Sequence, residues 1–152
     1  MSTQSKATYE DANLILKLYD LRREEKLRAA RQWFTSEFRP QTFDDVKAVL
    51  MPGHPGNTAF RMVVSYWDMA ASFAVRGPLN AALLLESAGE LIGVWALVEP
   101  FIADLRELVK LPEFLRNLEE IIKRVDWAPQ RVEWIQARLA ANRPAADAPS
   151  KQ

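Results

Sequence analysis

A chain of 152 residues with 49% apolar side chains is long enough to bury roughly 70% of the surface its unfolded form exposes, which excludes disorder of the whole chain. Its 20 Lys and Arg balance 20 Asp and Glu, so there is no basic field for nucleic acid. The absence of cysteine excludes disulfides, thiolate catalysis and cysteine-held metals.

The N-terminal stretch MSTQSKATYEDAN has no apolar core of the kind a signal peptide carries. Thr8 followed by Asp11 then reads as a capping box, with Asp in place of the usual Glu. From it a first helix is predicted from about Tyr9 to Glu37, ending before Pro40. Inside this helix stand five consecutive charges, Arg22 to Lys26. At 100° per residue they point to every side, so at least one interrupts an apolar face.

Thr42 and Asp45 repeat the start signal for a short second helix, FDDVKAVLM. Two prolines and two glycines in PGHPGN, residues 52–57, mark a breaker loop, with Asn57 as a cap for the next helix. That third helix, about residues 57–76, is apolar over most of its circumference and is predicted to lie at the centre of the fold. Its polar residues Arg61, Ser65, Asp68, Ser72 and Arg76 follow steps of four, three, four and four, which places them on one stripe. Gly77 suits its C-terminal stop, and Pro78 the first turn of a fourth helix, PLNAALLLES.

Gly89 separates a fifth helix, Glu90 to about Lys110, with a kink or break expected at Pro100. Its apolar run, Leu91 to Val98, falls well short of the ~20 residues that span a bilayer. Pro112 opens a predicted sixth helix and Pro129 a seventh. The final NRPAADAPSKQ, residues 142–152, reads as a disordered tail after a helical domain at 1–141. No segment alternates as a strand, so the fold class is all-α: a single-domain bundle of six or seven helices around residues 57–76.

An isolated buried charge is prohibitively costly, so charges that interrupt an apolar face need partners. The predicted arrangement is a cross-helix ion network of Arg22, Arg23 and Glu25 on the first helix with Arg61 and Asp68 on the third. An arginine, above all Arg22 or Arg23, is the expected partner of Asp68. The same residues also allow a solvated helix face stabilised by i,i+4 pairs such as Glu24–Arg28. Adjacent carboxylates such as Glu24 and Glu25 diverge and cannot converge on one reacting atom.

His54 is the sole histidine and lies in the breaker loop. With no Glu-x-x-His pattern, no phosphate-binding loop and no dinucleotide fingerprint, neither metal nor cofactor is expected. The five tryptophans read mainly as core, with Trp127 and Trp134 packing the last helix or serving a partner.

The segments LYDLRREEKLRAARQWF, NTAFRMVVSYWDMAASFAVRG and EPF together resemble uncharacterised bacterial helical proteins of a domain-of-unknown-function family, over about Tyr9 to Val125. The resemblance implies a helical fold and a bacterial origin, and supplies no activity or catalytic residue. The functional expectation is a non-enzymatic helical protein of the bacterial cytoplasm that self-associates as a two-fold dimer or binds a protein partner, without nucleic acid or membrane. The competing expectation is a small-molecule binder or enzyme with a polar site near Arg61, Tyr66 and Asp68.

Overall fold

Thr8 accepts from the Asp11 backbone N–H while the Asp11 carboxylate accepts from Thr8 N–H at 2.7 Å, and this capping box starts the first helix as its sequence predicts. The computed structural model describes residues 5–144, so the predicted tail falls outside the described residues from position 145 onward. Among the described residues there are nine α-helices, one 3-10 turn and no strand. They are α1 (Tyr9–Arg22), α2 (Glu25–Ser36), α3 (Phe43–Leu50), α4 (Asn57–Val75), α5 (Ala81–Ser87), α6 (Gly89–Val98), α7 (Ile102–Leu108), α8 (Arg116–Arg124) and α9 (Ala128–Ala141), with the 3-10 turn at Glu99–Phe101 between α6 and α7.

The all-α single domain stands, but its helices are shorter and more numerous than the six or seven expected. Two differences account for this. The predicted helix from Tyr9 to Glu37 breaks inside its charged run. Arg23 caps α1 through its backbone N–H, and the Glu24 carboxylate accepts from Lys26 and Leu27 N–H at 3.1 and 2.9 Å as the N-cap of α2. These backbone N–H groups hold the Glu24 carboxyl below its usual range. Helical periodicity continues across the run, but an acidic side chain able to cap a new helix ends the old one locally. The kink or break expected at Pro100 is a break, the 3-10 turn that divides α6 from α7.

Three smaller corrections concern helix starts. Pro78 lies before its helix, since α5 begins at Ala81 with the Asn80 side chain accepting from Leu83 N–H at 2.9 Å as the cap. Pro112 lies in a turn rather than opening a helix, and α8 begins four residues later, after Leu115 in the left-handed conformation at φ 56°. Asn57 is the first residue of α4 and not its cap. Its amide Nδ2 donates to the Val49 carbonyl at 3.0 Å and so ties α3 to α4.

The central place of α4 follows from its sequence. Phe60, Val63, Val64, Tyr66, Trp67, Ala70, Ala71 and Ala74 are buried, and α2, α3, α5, α6 and α8 all pack against it. Each large apolar side chain removed from water here contributes about 1.5–3 kcal/mol. At the N-terminal end of α4 an aromatic cluster joins α2, the turn after it and α4: Phe34 and Phe38 lie 4.9 Å apart between ring centroids, and Phe60 packs 5.4 Å from Phe38. Trp33 stacks on Phe38 at 5.6 Å and covers Gly56, where an added Cβ would lie 2.0 Å from the indole ring. α9 closes the opposite flank by packing on α6.

Around α8, Glu119 gathers three cations: Lys123 at 2.8 Å, Arg106 at 2.7 Å and Arg116 at 3.1 Å. Lys123, then Arg106, holds the Glu119 carboxyl well below its ordinary value of 4.5, at about 2, against the opposing effect of burial. A depressed carboxyl contributes stability that is complete above its unfolded pKa and is lost as pH falls toward the folded one.

Two predictions follow from this packing. Gly56→Ala should destabilise the fold by about 1–3 kcal/mol, because the methyl group displaces Trp33, and urea denaturation measures this. In acid, the wild type should lose stability between about pH 4.5 and pH 2, with a smaller loss over that window in Glu119→Gln; denaturation at a series of pH values reads the difference.

Candidate functional site

Asp68 does not pair with an arginine. Its Oδ1 accepts from the Leu118 backbone N–H at 3.1 Å and its Oδ2 from Asn117 Nδ2 at 3.0 Å. Leu118 is the third residue of α8, so a side chain on α4 satisfies an N–H that the helix itself leaves without a partner. Asp68 is the N-terminal cap of α8, supplied from another helix, and its negative charge sits at the positive end of the α8 dipole.

The other members of the predicted network are likewise dispersed. Arg22 lays its guanidinium over the rings of Tyr19 and Trp67, 4.8 and 5.3 Å from their centroids. Arg23 and Glu25 are exposed at the corner between α1 and α2. Arg61 is exposed and donates Nε to Asn57 Oδ1 at 3.1 Å on its own helix. No ion pair joins any two of Arg22, Arg23, Glu25, Arg61 and Asp68 among the described residues.

Besides Arg106–Glu119, a cross-helix ion pair joins α2 to α6. Arg31 of α2 donates Nε and Nη2 to the two oxygens of Glu90 at 2.8 and 2.7 Å, and Nη1 to the Arg22 carbonyl at 3.2 Å. Trp67 donates its indole N–H to Glu90 Oε1 at 3.1 Å. Glu90 lies in the first turn of α6, where a carboxylate is favoured by the helix dipole. Its partners raise the Arg31 guanidinium above its ordinary value, the hydrogen bond to Glu90 being the chief cause. Beside this bridge, burial pushes the Tyr66 hydroxyl up to about 12, and that hydroxyl donates to the Leu18 carbonyl. Two residues of this site carry a local signal in the sequence, though neither signal names the partner. Glu90 is an acid directly before the apolar run Leu91–Val98, and a buried Trp67 needs an acceptor for its N–H.

The residues that do face a common space belong to a groove of about 600 Å³ between α4 and the α7–α8 connection. Arg61, Ser65, Asp68 and Ser72 of the predicted α4 stripe line it, whereas Tyr66 does not. Its floor is apolar: Phe60, Val64 and Leu115 are buried, while Met69, Val109 and Leu111 stay 39%, 38% and 49% exposed. The polar groups around it are largely engaged. Ser65 donates to the Arg61 carbonyl at 2.6 Å, Ser72 to the Met69 carbonyl at 2.6 Å, and Asp68 caps α8. Asn117 lines the groove too, and its buried Oδ1 has no hydrogen-bond partner.

His54 stands outside the groove. Its Nδ1 accepts from Gly56 N–H at 2.9 Å and closes the turn before α4. Among the described residues, no three His, Asp or Glu side chains gather at metal-binding separation. No single helix among them is long and apolar enough to cross a membrane.

Asp68 and Glu90 should therefore respond differently to truncation. Asp68→Ala removes a helix cap and should cost about 1–2 kcal/mol. Glu90→Ala leaves Arg31 and the Trp67 N–H without their acceptor in a partly buried site and should cost about 2–4 kcal/mol. Double-mutant cycles should show coupling for Arg31 with Glu90 and none for Asp68 with Arg22, Arg23 or Arg61.

Among known proteins, neither a curated sequence nor a solved structure matches this chain. A family described as "Domain of unknown function (DUF4760)" matches residues 7–125, which run from the α1 cap to the end of α8 and so include Asp68, Glu90 and the whole groove. The chain belongs to that family.

Proposed function

We propose that this is a non-enzymatic, partner-binding helical protein, and that the groove between α4 and the α7–α8 connection receives an apolar helix face from a second copy of the chain. The observation that carries the reading is the exposure of Met69, Val109 and Leu111 around one groove of about 600 Å³ with an apolar floor. Apolar side chains grouped in this way mark an interaction surface more often than scattered ones do. A helix-in-groove contact needs such a floor, with apolar residues on the incoming helix at steps of three and four. α1 offers Leu16 and Tyr19, three apart and 63% and 52% exposed. The zero net charge opposes self-association only weakly, and two-fold dimers are the commonest closed assembly. The bacterial cytoplasm is the setting this reading assigns to the protein.

A second reading, a small-molecule site, draws on two features of the same groove. Arg61 is an exposed cation at its edge, and Asn117 brings a buried acceptor without a donor. A ligand joining them would carry an anionic group, a hydroxyl or amide N–H, and an apolar body. Asp68 and the two serines serve in both readings as walls, since their hydrogen bonds are already made within the chain.

Sedimentation velocity at micromolar concentration should show a dimer, and Met69→Glu with Leu111→Glu should give a folded monomer. A wild-type monomer would reject self-association. A bound small molecule found by native mass spectrometry of that monomer would establish the second reading.

A further inference from the structure

A second cleft, of about 510 Å³, opens between the Arg39–Gln41 turn after α2, the end of α6 with its 3-10 turn, and α9. Among the described residues the charged side chains lining it are Arg39, Arg138 and Arg143, with no carboxylate in the lining. The chain as a whole is neutral, so three cations around one cavity are a local imbalance. Among the described residues none of the three forms an ion pair. Glu99, just before Pro100, directs its carboxylate to Trp95 Nε1 at 2.8 Å and Gln136 Nε2 at 3.4 Å.

Two of the lining groups are held in place. Arg39 donates Nη1 to the Phe38 carbonyl at 2.8 Å and Nη2 to the Thr35 carbonyl, which anchors its charge at the end of α2. On α9, Trp134 carries the guanidinium of Arg131 at 4.2 Å and that of Arg138 at 5.3 Å from its ring centroid, since the three occupy one stripe at steps of three and four. The rest of the wall is mostly apolar, with Pro100, Phe101 and Leu139 beside Trp134. Cations set in an apolar wall match a ligand that is itself divided between charge and hydrocarbon.

We propose that this cleft binds a small organic anion, a carboxylate or phosphate carried on an apolar body, with the anion on Arg138 and Arg143 and the body against Phe101, Trp134 and Leu139. Inorganic anions leave the apolar wall unused. A nucleic acid needs cations spaced along a track, whereas these surround one cavity of small-molecule size. The simpler account of Arg138 and Arg143 is that cations near the C-terminal end of α9 complement its dipole. That account requires a stability change on their removal and no ligand.

The test titrates the full chain with 2-naphthoate, 1-naphthyl phosphate, neutral 2-naphthylmethanol, inorganic phosphate and a short single-stranded oligonucleotide, by calorimetry and by tryptophan fluorescence. At least one naphthyl anion should bind saturably to one site, about tenfold or more tighter than the neutral alcohol and than inorganic phosphate, and more weakly as salt rises. The stronger of the two anions distinguishes a carboxylate from a phosphate ligand. Arg138→Gln with Arg143→Gln should weaken binding by about tenfold or more while the far-UV spectrum stays helical. Arg138→Lys with Arg143→Lys should retain part of the affinity. No saturable binding of either anion would overturn the proposal. So would equal affinity for the alcohol, tighter binding of the oligonucleotide, or undiminished affinity in the folded double Gln variant.

Discussion

Three consecutive residues hold this fold in register. Tyr66, Trp67 and Asp68 on α4 each make a hydrogen bond to a different helix: to the Leu18 carbonyl of α1, to the Glu90 carboxylate of α6, and to the Leu118 N–H of α8. Successive side chains on a helix diverge by about 100°, so three in a row address most of the circumference. Hydrophobic burial supplies the bulk of the stabilisation around α4, but it is non-directional. The three polar contacts fix which helix lies where. Each also satisfies a group that would be expensive to leave bare: an indole N–H, a phenol, and an orphan N–H at a helix start.

The same geometry limits what α4 can do chemically. A carboxylate that accepts two hydrogen bonds as a helix cap is a structural anchor. The serines of its polar stripe are turned onto their own helix carbonyls. What faces the opening of the groove is apolar surface together with Arg61, the carboxylate of Glu113 and the unpartnered Oδ1 of Asn117. The cleft on α9 differs in kind, since its polar groups are cations placed around an opening rather than buried between helices.

Much of the architecture was legible from local signals. The capping boxes at Thr8 and Thr42, the central α4 and the break at Pro100 are short-range chemistry, and they stand as read. The polar contacts were not legible, because they depend on which helices become neighbours. The polar character of Asp68 was evident, but its partner is a backbone N–H that exists only once α8 has docked. Arg31 and Glu90 are 59 residues apart, and no periodicity within either segment connects them. The run Arg22–Lys26 misled for a related reason. Its helical spacing was intact, yet Glu24 can cap the chain that follows it, and that competing local bond divides one helix into two.

That division has a consequence for the order in which the protein comes apart. Because Glu24 closes the start of α2 with its own carboxylate, α2 does not need α1 to satisfy its first N–H groups. α1 is attached through Leu18 in the core, through hydrogen bonds from Tyr66 to the Leu18 carbonyl, from Asn80 N–H to Asp11 at 2.9 Å and from Arg31 to the Arg22 carbonyl, and through Arg22 over Trp67, while much of its outer surface lies in water. The N-terminal helix thus has its own start and stop and can open without uncapping α2. Its amides are expected to exchange through a local opening of lower free energy than the opening that exposes those of α4.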